Sequence, residues 1–451
     1  MNSLQGENGR NHRSCCPWKQ KMRILVLGGN GFIGSEIVSS LLHTKHVFRT
    51  DWDITLANRS ESWDWDKKEL IYSSVNHLFL DRDEDNTKLT DSFKKYLQSK
   101  ERIDICIDVS GTEPHHLRQS ISLLRLKTDL YVYISSDSVY EVCMRRRHDG
   151  YSKEIDAIRP SKQRIREKLK ERDAYGDDKL TCEEMLKEQF SSDVSMPYVI
   201  LRLCDVIGER DATDRFWSLQ LWIELSHMSD LPVYIPHTLE YQKLSLIDVK
   251  DVASVVSNMV LDGPRLSRRY WNKAFNLAAN DNMTFMELVQ EMQNCMGASQ
   301  AKLCVVDKYR FDLPEFYPSV ERGPIDTTEA KKLLAFTATP LATSLNRIVN
   351  FYTDARKNNL FPLQFMKVRK SLFKDLKGNA EKKILRRAFK CLRTRTNFSS
   401  CCNSTAADDI PTEKKNSLSP EISRGTKRKK EEETVASNGK KHHKLILNGT
   451  N

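Results

Sequence analysis

The chain reads as an α/β protein: a doubly wound parallel sheet, a smaller mixed C-terminal lobe and a basic tail with no packed structure. Three observations predict this. Short apolar runs alternate with amphipathic segments from Met22 to Leu203. The first run feeds straight into a glycine-rich turn and a helical pattern, and the composition changes near Phe361. Strand–helix alternation with short connections is the pattern of parallel strands joined by helical crossovers.

The predicted strands cover residues 23–27, 53–57, 77–80, 103–109, 131–135 and 198–203. Helical periodicity falls between them at 33–42, 86–98, 115–127 and 179–189. Beyond residue 203 the spacing loosens, and 216–225, 244–261, 284–296 and 327–350 read as helices of a smaller lobe interleaved with the first domain. This divides the chain into a polar extension (1–21), a sheet domain (22–203), a substrate lobe (204–360), a basic amphipathic helix (361–396, its pattern clearest over 367–395) and a tail (397–451). The tail is rich in Ser, Thr, Lys and Glu and too poor in apolar residues to pack a core.

The 451 residues carry a net charge of +11, unevenly placed. Residues 361–451 hold 22 Lys and Arg against 9 Asp and Glu, so the basic balance says nothing about what the folded part binds. Eleven cysteines do not make a disulfide framework: Cys106, Cys204 and Cys304 lie inside apolar runs, where a thiol behaves as a small hydrophobe. Without a Cys-x-x-Cys pair no metal site is expected. No apolar stretch is long enough for a membrane span, and 1–21 lacks the apolar segment of a secretory signal. The expected location is the cytoplasm. A nuclear alternative rests on the basic cluster at 424–430, which reads equally as a solubilising segment.

The first predicted strand ends in Gly28-Gly-Asn30-Gly31-Phe32-Ile33-Gly34. One glycine permits a tight turn, one lets backbone approach a pyrophosphate, and one lets the helix lie close to the strand. The helix N-terminus then offers free N–H groups and the positive dipole end to phosphates. This is a Rossmann-type dinucleotide site, with the loop residues from Gly28 to Gly34 as its pyrophosphate contacts. At the end of the second strand stand Asn58 and Arg59, where an acidic residue would accept from the 2′-hydroxyl of NAD; a neutral residue followed by Arg suits a 2′-phosphate. The cofactor is therefore expected to be NAD(P), with NADP favoured. Asp81 and Arg82 follow the third strand and either meet the adenine or form a polar turn.

Three further motifs carry a family resemblance. Asp108-Val109-Ser110-Gly111 ends the fourth predicted strand, Ser135-Ser136-Asp137-Ser138-Val139-Tyr140 ends the fifth, and Tyr175-Gly-Asp-Asp-Lys179 gives Tyr-x-x-x-Lys. Together with the glycine loop they resemble the extended short-chain dehydrogenase/reductases, specifically the NAD-dependent epimerase/dehydratase family, over about residues 22–350. Tyr96 and Lys100 match the same spacing by chance in a charged helix. The resemblance implies that Val109, Ser110 and Gly111 line the nicotinamide side of the cofactor. It implies that Ser136 orients a substrate oxygen, Tyr175 is its acid or base, and Lys179 binds the nicotinamide ribose. Lys179 lies one helical turn from Tyr175, and its ammonium is expected to lower the phenol pKa. The implied activity is hydride transfer to or from a nucleotide-sugar or a similar hydroxyl or carbonyl compound, as an epimerase, reductase or dehydratase. Such proteins often form homodimers.

Two features depart from the pattern. Ser136 and Tyr175 are 39 positions apart, with a charged insertion at 145–174 that reads as a lid or as a solvated helix. Glu141 stands where the family commonly has Gly. Phrases around Asp104–Gly111 and Arg202–Gly208 also resemble the atypical branch containing plant chloroplast stem-loop RNA-binding proteins. That branch implies an alternative, a non-catalytic NAD(P)-binding regulatory protein that contacts RNA or an anionic surface through its basic tail. Retention of Tyr175 and Lys179 argues for redox chemistry. Phe365, Phe373 and Phe389 are expected to pack the basic helix against the body.

Overall fold

In the computed structural model, which describes residues 21–394 apart from 64, 84–89, 100–101, 190–194, 308–321 and 376–378, the apolar runs of the first half are parallel strands. They are β1 (Met22–Leu27), β2 (Trp52–Asn58), β3 (Asn76–Phe79), β4 (Ile103–Asp108), β5 (Thr128–Ser136) and β6 (Tyr198–Leu203). Alternate residues sort to opposite faces, as the two-residue period of a strand requires. Ile24, Val26, Ile54, Leu56, Ile105 and Ile107 enter one core. Leu25, Leu27, Cys106, Tyr131 and Tyr133 enter the other. A sheet buried on both faces needs helices on both, and the sequence supplies them.

Those helices are α1 (Phe32–Phe48), α2 (Lys67–Ile71), α3 (Asp91–Gln98), α4 (Pro114–Leu124), α5 (Gln163–Arg172) and α6 (Ala174–Glu188). Ile37, Val38 and Leu41 of α1 pack in the first core; Phe93, Leu117, Cys182 and Leu186 of α3, α4 and α6 pack in the second. The region from 205 onward adds β7 (Asp205–Ile207), α7 (Arg215–His227), β8 (Val233–Pro236), β9 (Lys243–Leu244), β10 (Leu246–Asp248), α8 (Val249–Leu266), β11 (Lys273–Leu277), β12 (Met283–Thr284), α9 (Phe285–Met296), β13 (Leu303–Val306), α10 (Thr328–Leu334) and α11 (Leu341–Lys357). The central sheet runs β3-β2-β1-β4-β5-β6-β11, so a strand from beyond residue 203 completes it. The lobe itself is held by three two-stranded pairs, β7 with β10, β8 with β13 and β9 with β12.

Three helical expectations change. Over 244–261 the chain is first β10 and then α8, which starts at Val249 because the Asp248 carboxylate caps the Lys250 N–H at 2.9 Å. The 327–350 segment is two helices: Ala335 takes a left-handed conformation (φ 51°) and Pro340 caps α11. The basic segment is likewise two helices, α12 (Pro362–Asp375) and α13 (Asn379–Thr394). As expected, Phe365 lies against Trp217 of α7 with ring centroids 5.6 Å apart, and Phe373 stacks on Phe389 at 5.4 Å. Among the described residues no helix is long and apolar enough to cross a membrane. The described cysteines are free thiols; Cys106 and Cys204 are buried and Cys304 is half-buried in β13. Residues 1–20 and the cluster at 424–430 lie outside the described residues.

Candidate active site

The site forms where β1, β4 and β5 end, and the glycine loop is its floor. Gly28 has φ +83°, and a Cβ there would stand 2.8 Å from the Cβ of Ser110. A Cβ on Gly34 would meet the Gly28 carbonyl oxygen at 2.1 Å, so only glycine lets α1 approach the loop this closely. Gly31 differs, since its Cβ would meet nothing nearer than 3.9 Å. Its backbone faces open space, and as the residue preceding α1 it offers no side-chain cap to that helix's first N–H groups. A helix start with uncapped donors and room beside it fits a pyrophosphate. Buried Asn58, whose Oδ1 has no partner among the described residues, adds an unsatisfied acceptor at the end of β2.

The other predicted contacts divide. Asn30 ties the loop to the next strand's exit by donating to the carbonyls of Ser60 (3.1 Å) and Ser62 (2.6 Å). Phe32 and Ile33 are half-buried behind the glycines, Phe32 beneath Gly208. Arg59 extends outward and pairs with Asp83 at 2.9 Å. Asp81 accepts from the Asp83 N–H at 3.1 Å, as in a polar turn. Arg82 does not face an adenine. It is buried, donating to Asp108 (2.6 Å), Ser110 (3.0 Å), the His116 carbonyl (2.7 Å) and Ser120 (2.8 Å). The physical reason is Asp108, fully buried at the end of β4 and in need of a counter-ion. Burial pushes the Asp108 carboxyl up, but Arg82 and the Tyr131 hydroxyl outweigh it and hold it below the usual carboxylate range. Asp108 in turn accepts from the N–H groups of Ser110 (3.1 Å) and Gly111 (2.8 Å), which fixes the 109–111 loop; Val109 donates to the Leu27 carbonyl at 3.0 Å.

The catalytic candidates converge through helix packing. Asp173 caps α6 by accepting from the Gly176 N–H at 2.7 Å. A Cβ on Gly176 would stand 2.4 Å from the Ser138 carbonyl oxygen, so glycine lets the start of α6 lie against the turn that follows Ser136. Tyr175 is thereby brought beside Ser136, near enough for the serine hydroxyl to favour the ionised phenol. Tyr175 is 49 % exposed. Burial pushes its pKa up to about 12, with the Asp137 charge adding to the rise and the Ser136 bond opposing it. Lys179 is buried, and its ammonium donates to the carbonyls of Gly111 and Ile134, both at 2.8 Å. It stands 5.8 Å from the Tyr175 ring centroid, and burial lowers its own pKa to about 8. The expected lowering of the phenol by this ammonium is therefore not seen. A buried ammonium must satisfy its donors, and two backbone carbonyls claim them.

The model of the NAD dependent epimerase/dehydratase family matches residues 24–277, more than half of the sequence. The chain belongs to this family. Its members are NAD-dependent enzymes. Comparison with curated proteins finds no match. Solved structures with the same fold include UDP-glucose 4-epimerase from Thermotoga maritima with UDP-glucose (17 % identity, 74 % of this chain and 100 % of that one, TM-score 0.53). They also include dTDP-glucose 4,6-dehydratase from Bacillus anthracis with NAD (16 %, 75 % and 99 %, 0.55) and UDP-glucuronic acid 4-epimerase from Bacillus cereus with NAD (18 %, 75 % and 100 %, 0.54).

Within this family member the insertion at 145–174 is mixed in character. Its first half is built into the wall of the cleft. Ser152 pairs with Ile325, Arg146 donates to the Arg322 carbonyl at 2.7 Å, and Arg159 binds Asp177, Glu184 and Thr181 of α6. The second half, α5, has no buried residue. Behind the wall Arg202 and Glu183 form a buried pair at 2.6 Å, joined by Tyr140 to Asn276. Asn276 accepts from the Tyr140 hydroxyl at 2.7 Å and donates to the carbonyls of Ser152 and Asp326, both at 3.0 Å.

Sequence reasoning missed Asp137. It is 6 % exposed, beside Ser136, and no ion pair reaches it among the described residues. Burial, then the charges of Asp205 and Glu141, push its carboxyl well above the usual range. Its place inside the Ser-Ser-Asp-Ser motif was the available signal. Asp205 is raised to about 6, by burial against the pull of Arg215. A cavity of about 240 Å³ lined by Arg23, Asp53, Asn76 and Ile103 lies at the opposite, N-terminal ends of β1–β4 and takes no part in this site.

Proposed function

We propose that this protein is an NAD(P)-dependent oxidoreductase or epimerase acting on a nucleotide-sugar or a similar hydroxyl or carbonyl substrate, with Tyr175 as acid/base. The observation that carries this reading is the Gly176 contact, which lets the start of α6, with Tyr175, lie against the turn that follows Ser136. The ligands bound in two similar folds, UDP-glucose and NAD, support it.

When bound, the dinucleotide supplies a hydride donor or acceptor at its nicotinamide ring. The chain's own residues do the rest. The Gly31 backbone and the start of α1 hold the pyrophosphate, and Arg59 takes a 2′-phosphate, which favours NADP. Ser136 Oγ holds the substrate oxygen at the carbon being oxidised or reduced. Tyr175 Oη accepts the proton as a hydroxyl becomes a carbonyl and returns it in the reverse direction. A phenol near pKa 12 is a poor base at neutral pH, so the positive charge of an oxidised nicotinamide beside it would be needed to bring it into range. Lys179 orders this face by clamping the Gly111 and Ile134 carbonyls, which leaves one of its three N–H donors for the nicotinamide ribose.

The test is a screen of nucleotide-sugars and simple carbonyl compounds with wild type and Tyr175→Phe. Turnover is expected to drop by roughly 10²–10⁴-fold in the variant while NAD(P)H fluorescence still reports binding. Cofactor that stays bound through purification would point to an epimerase cycle, and freely exchanging cofactor to a reductase. Wild-type protein that binds cofactor normally and turns over none of these compounds would overturn the enzymatic reading.

A further inference from the structure

The ends of β2 and β3 and the start of α4 meet in one cluster centred on Asp83. Its Oδ2 accepts from Arg59 Nη1 at 2.9 Å. Its Oδ1 lies 2.9 Å from His116 Nε2 and 3.4 Å from His115 Nε2. His115 in turn stands 3.5 Å from Glu113. The three ligand-type atoms of Asp83, His115 and His116 lie within 4.8 Å of one another, which raises the question of a metal ion. The His116 ring argues against it. Its Nδ1 faces the N–H groups of Thr112 and Glu113, both at 3.3 Å, and so must accept. The proton is then on Nε2, which donates to Asp83 and has no lone pair for a metal.

With Nδ1 accepting, this ring is neutral; burial lowers its pKa in the same sense, and its hydrogen bond holds the Asp83 carboxyl below the usual range. Asp83 is thus a fixed negative charge, half exposed, oriented by α4 and aimed at Arg59. Arg59 follows β2, where the adenosine ribose is recognised in this fold. A 2′-phosphate needs that guanidinium, whereas a free 2′-hydroxyl needs a carboxylate. β2 itself ends without a carboxylate, and the loop after β3 brings one.

We propose that Asp83 is the cofactor-selecting residue: it withholds Arg59 from a 2′-phosphate and offers its own carboxylate to a free 2′-hydroxyl. The inference rests on the dinucleotide site described above and refines its preference for NADP, which Asp83 restrains. The Arg59–Asp83 pair is exposed on both sides, and such pairs are weakly held, so a phosphate can still displace the carboxylate.

Titrations of the full-length protein with NADH and NADPH, followed by nicotinamide fluorescence, test it. Asp83→Asn is expected to raise affinity for NADPH relative to NADH by about tenfold, the scale of one charge-assisted contact. Arg59→Gln tests the same contact from the other side and is expected to weaken NADPH by a similar factor while leaving NADH unchanged. An NADPH/NADH ratio that is the same in Asp83→Asn and wild type overturns the role of Asp83 alone. Wild-type protein that binds neither nucleotide overturns the cofactor site beneath it as well.

Discussion

Lys179 sits where charge is costly, and that has a measurable consequence. Burial holds its folded-state pKa at about 8, against 10.5 for the free side chain. Between those values the folded protein carries fewer protons than the unfolded chain, so stability rises with pH across the window; below pH 8 the cost of burying the charged form is present in full. Relative to Lys179→Met, wild type should gain up to about 3 kcal/mol between pH 7 and pH 10.5. Urea midpoints of both proteins at the two pH values read this out, and parallel pH dependence would contradict it. At this scale Ser136, Tyr175 and Lys179 were legible because they recur in a fixed order along the chain. Arg82 and Asp83 were not, since their roles are set by Asp108, Ser120, Arg59 and His116, which sequence spacing does not bring together. The direction of the Tyr175 shift also escaped, because it depends on where the Lys179 ammonium finds its acceptors.

The start of α6 acts as a unit with the turn that follows β5. Its approach is limited by the Ser138 carbonyl, which is backbone and cannot swing aside. Gly176→Ala should therefore push α6 away. It should cost about 1–3 kcal/mol of stability, the scale of overpacking a close contact. Activity should fall by on the order of 10²-fold, because Tyr175 is displaced from Ser136. Chemical denaturation and steady-state rates measured together check both parts, and a variant with wild-type turnover would show that the contact does not set the site. Periodicity revealed most helices of this kind. It did not reveal their breaks at Ala335 and Pro340, nor that 246–248 is strand, because apolar residues at helical spacing also suit a short buried strand.

Across the whole molecule, α12 and α13 are structural parts of the enzyme rather than appendages. Val368, Leu372, Leu385, Ala388 and Cys391 are fully buried, and α7, against which the two helices pack, carries Trp217. A chain ending at residue 360 should melt several degrees lower, since about 1 kcal/mol already moves Tm by 2–4 °C in domains of 150–250 residues. It should also expose apolar surface that binds a hydrophobic dye. An unchanged melting curve would count against this packing. The parallel sheet was predictable from the alternation of runs, but its last strand, β11, was not. Only five residues long, it follows a long helix and is defined by its pairing with β6.

Asn276 joins the turn at Tyr140, the inserted segment at Ser152 and the loop at Asp326, as a disulfide might staple a smaller protein. The comparison marks a difference in kind. A covalent staple survives wetting, whereas a carboxamide holding one hydroxyl and two carbonyls exchanges them for water at little cost once water can enter. Asp in its place would lose both donors, and Gln would carry the amide beyond its partners. The fidelity of this wall is thus a matter of drainage: Asn276 is itself fully buried, and its three bonds last while that one point stays dry.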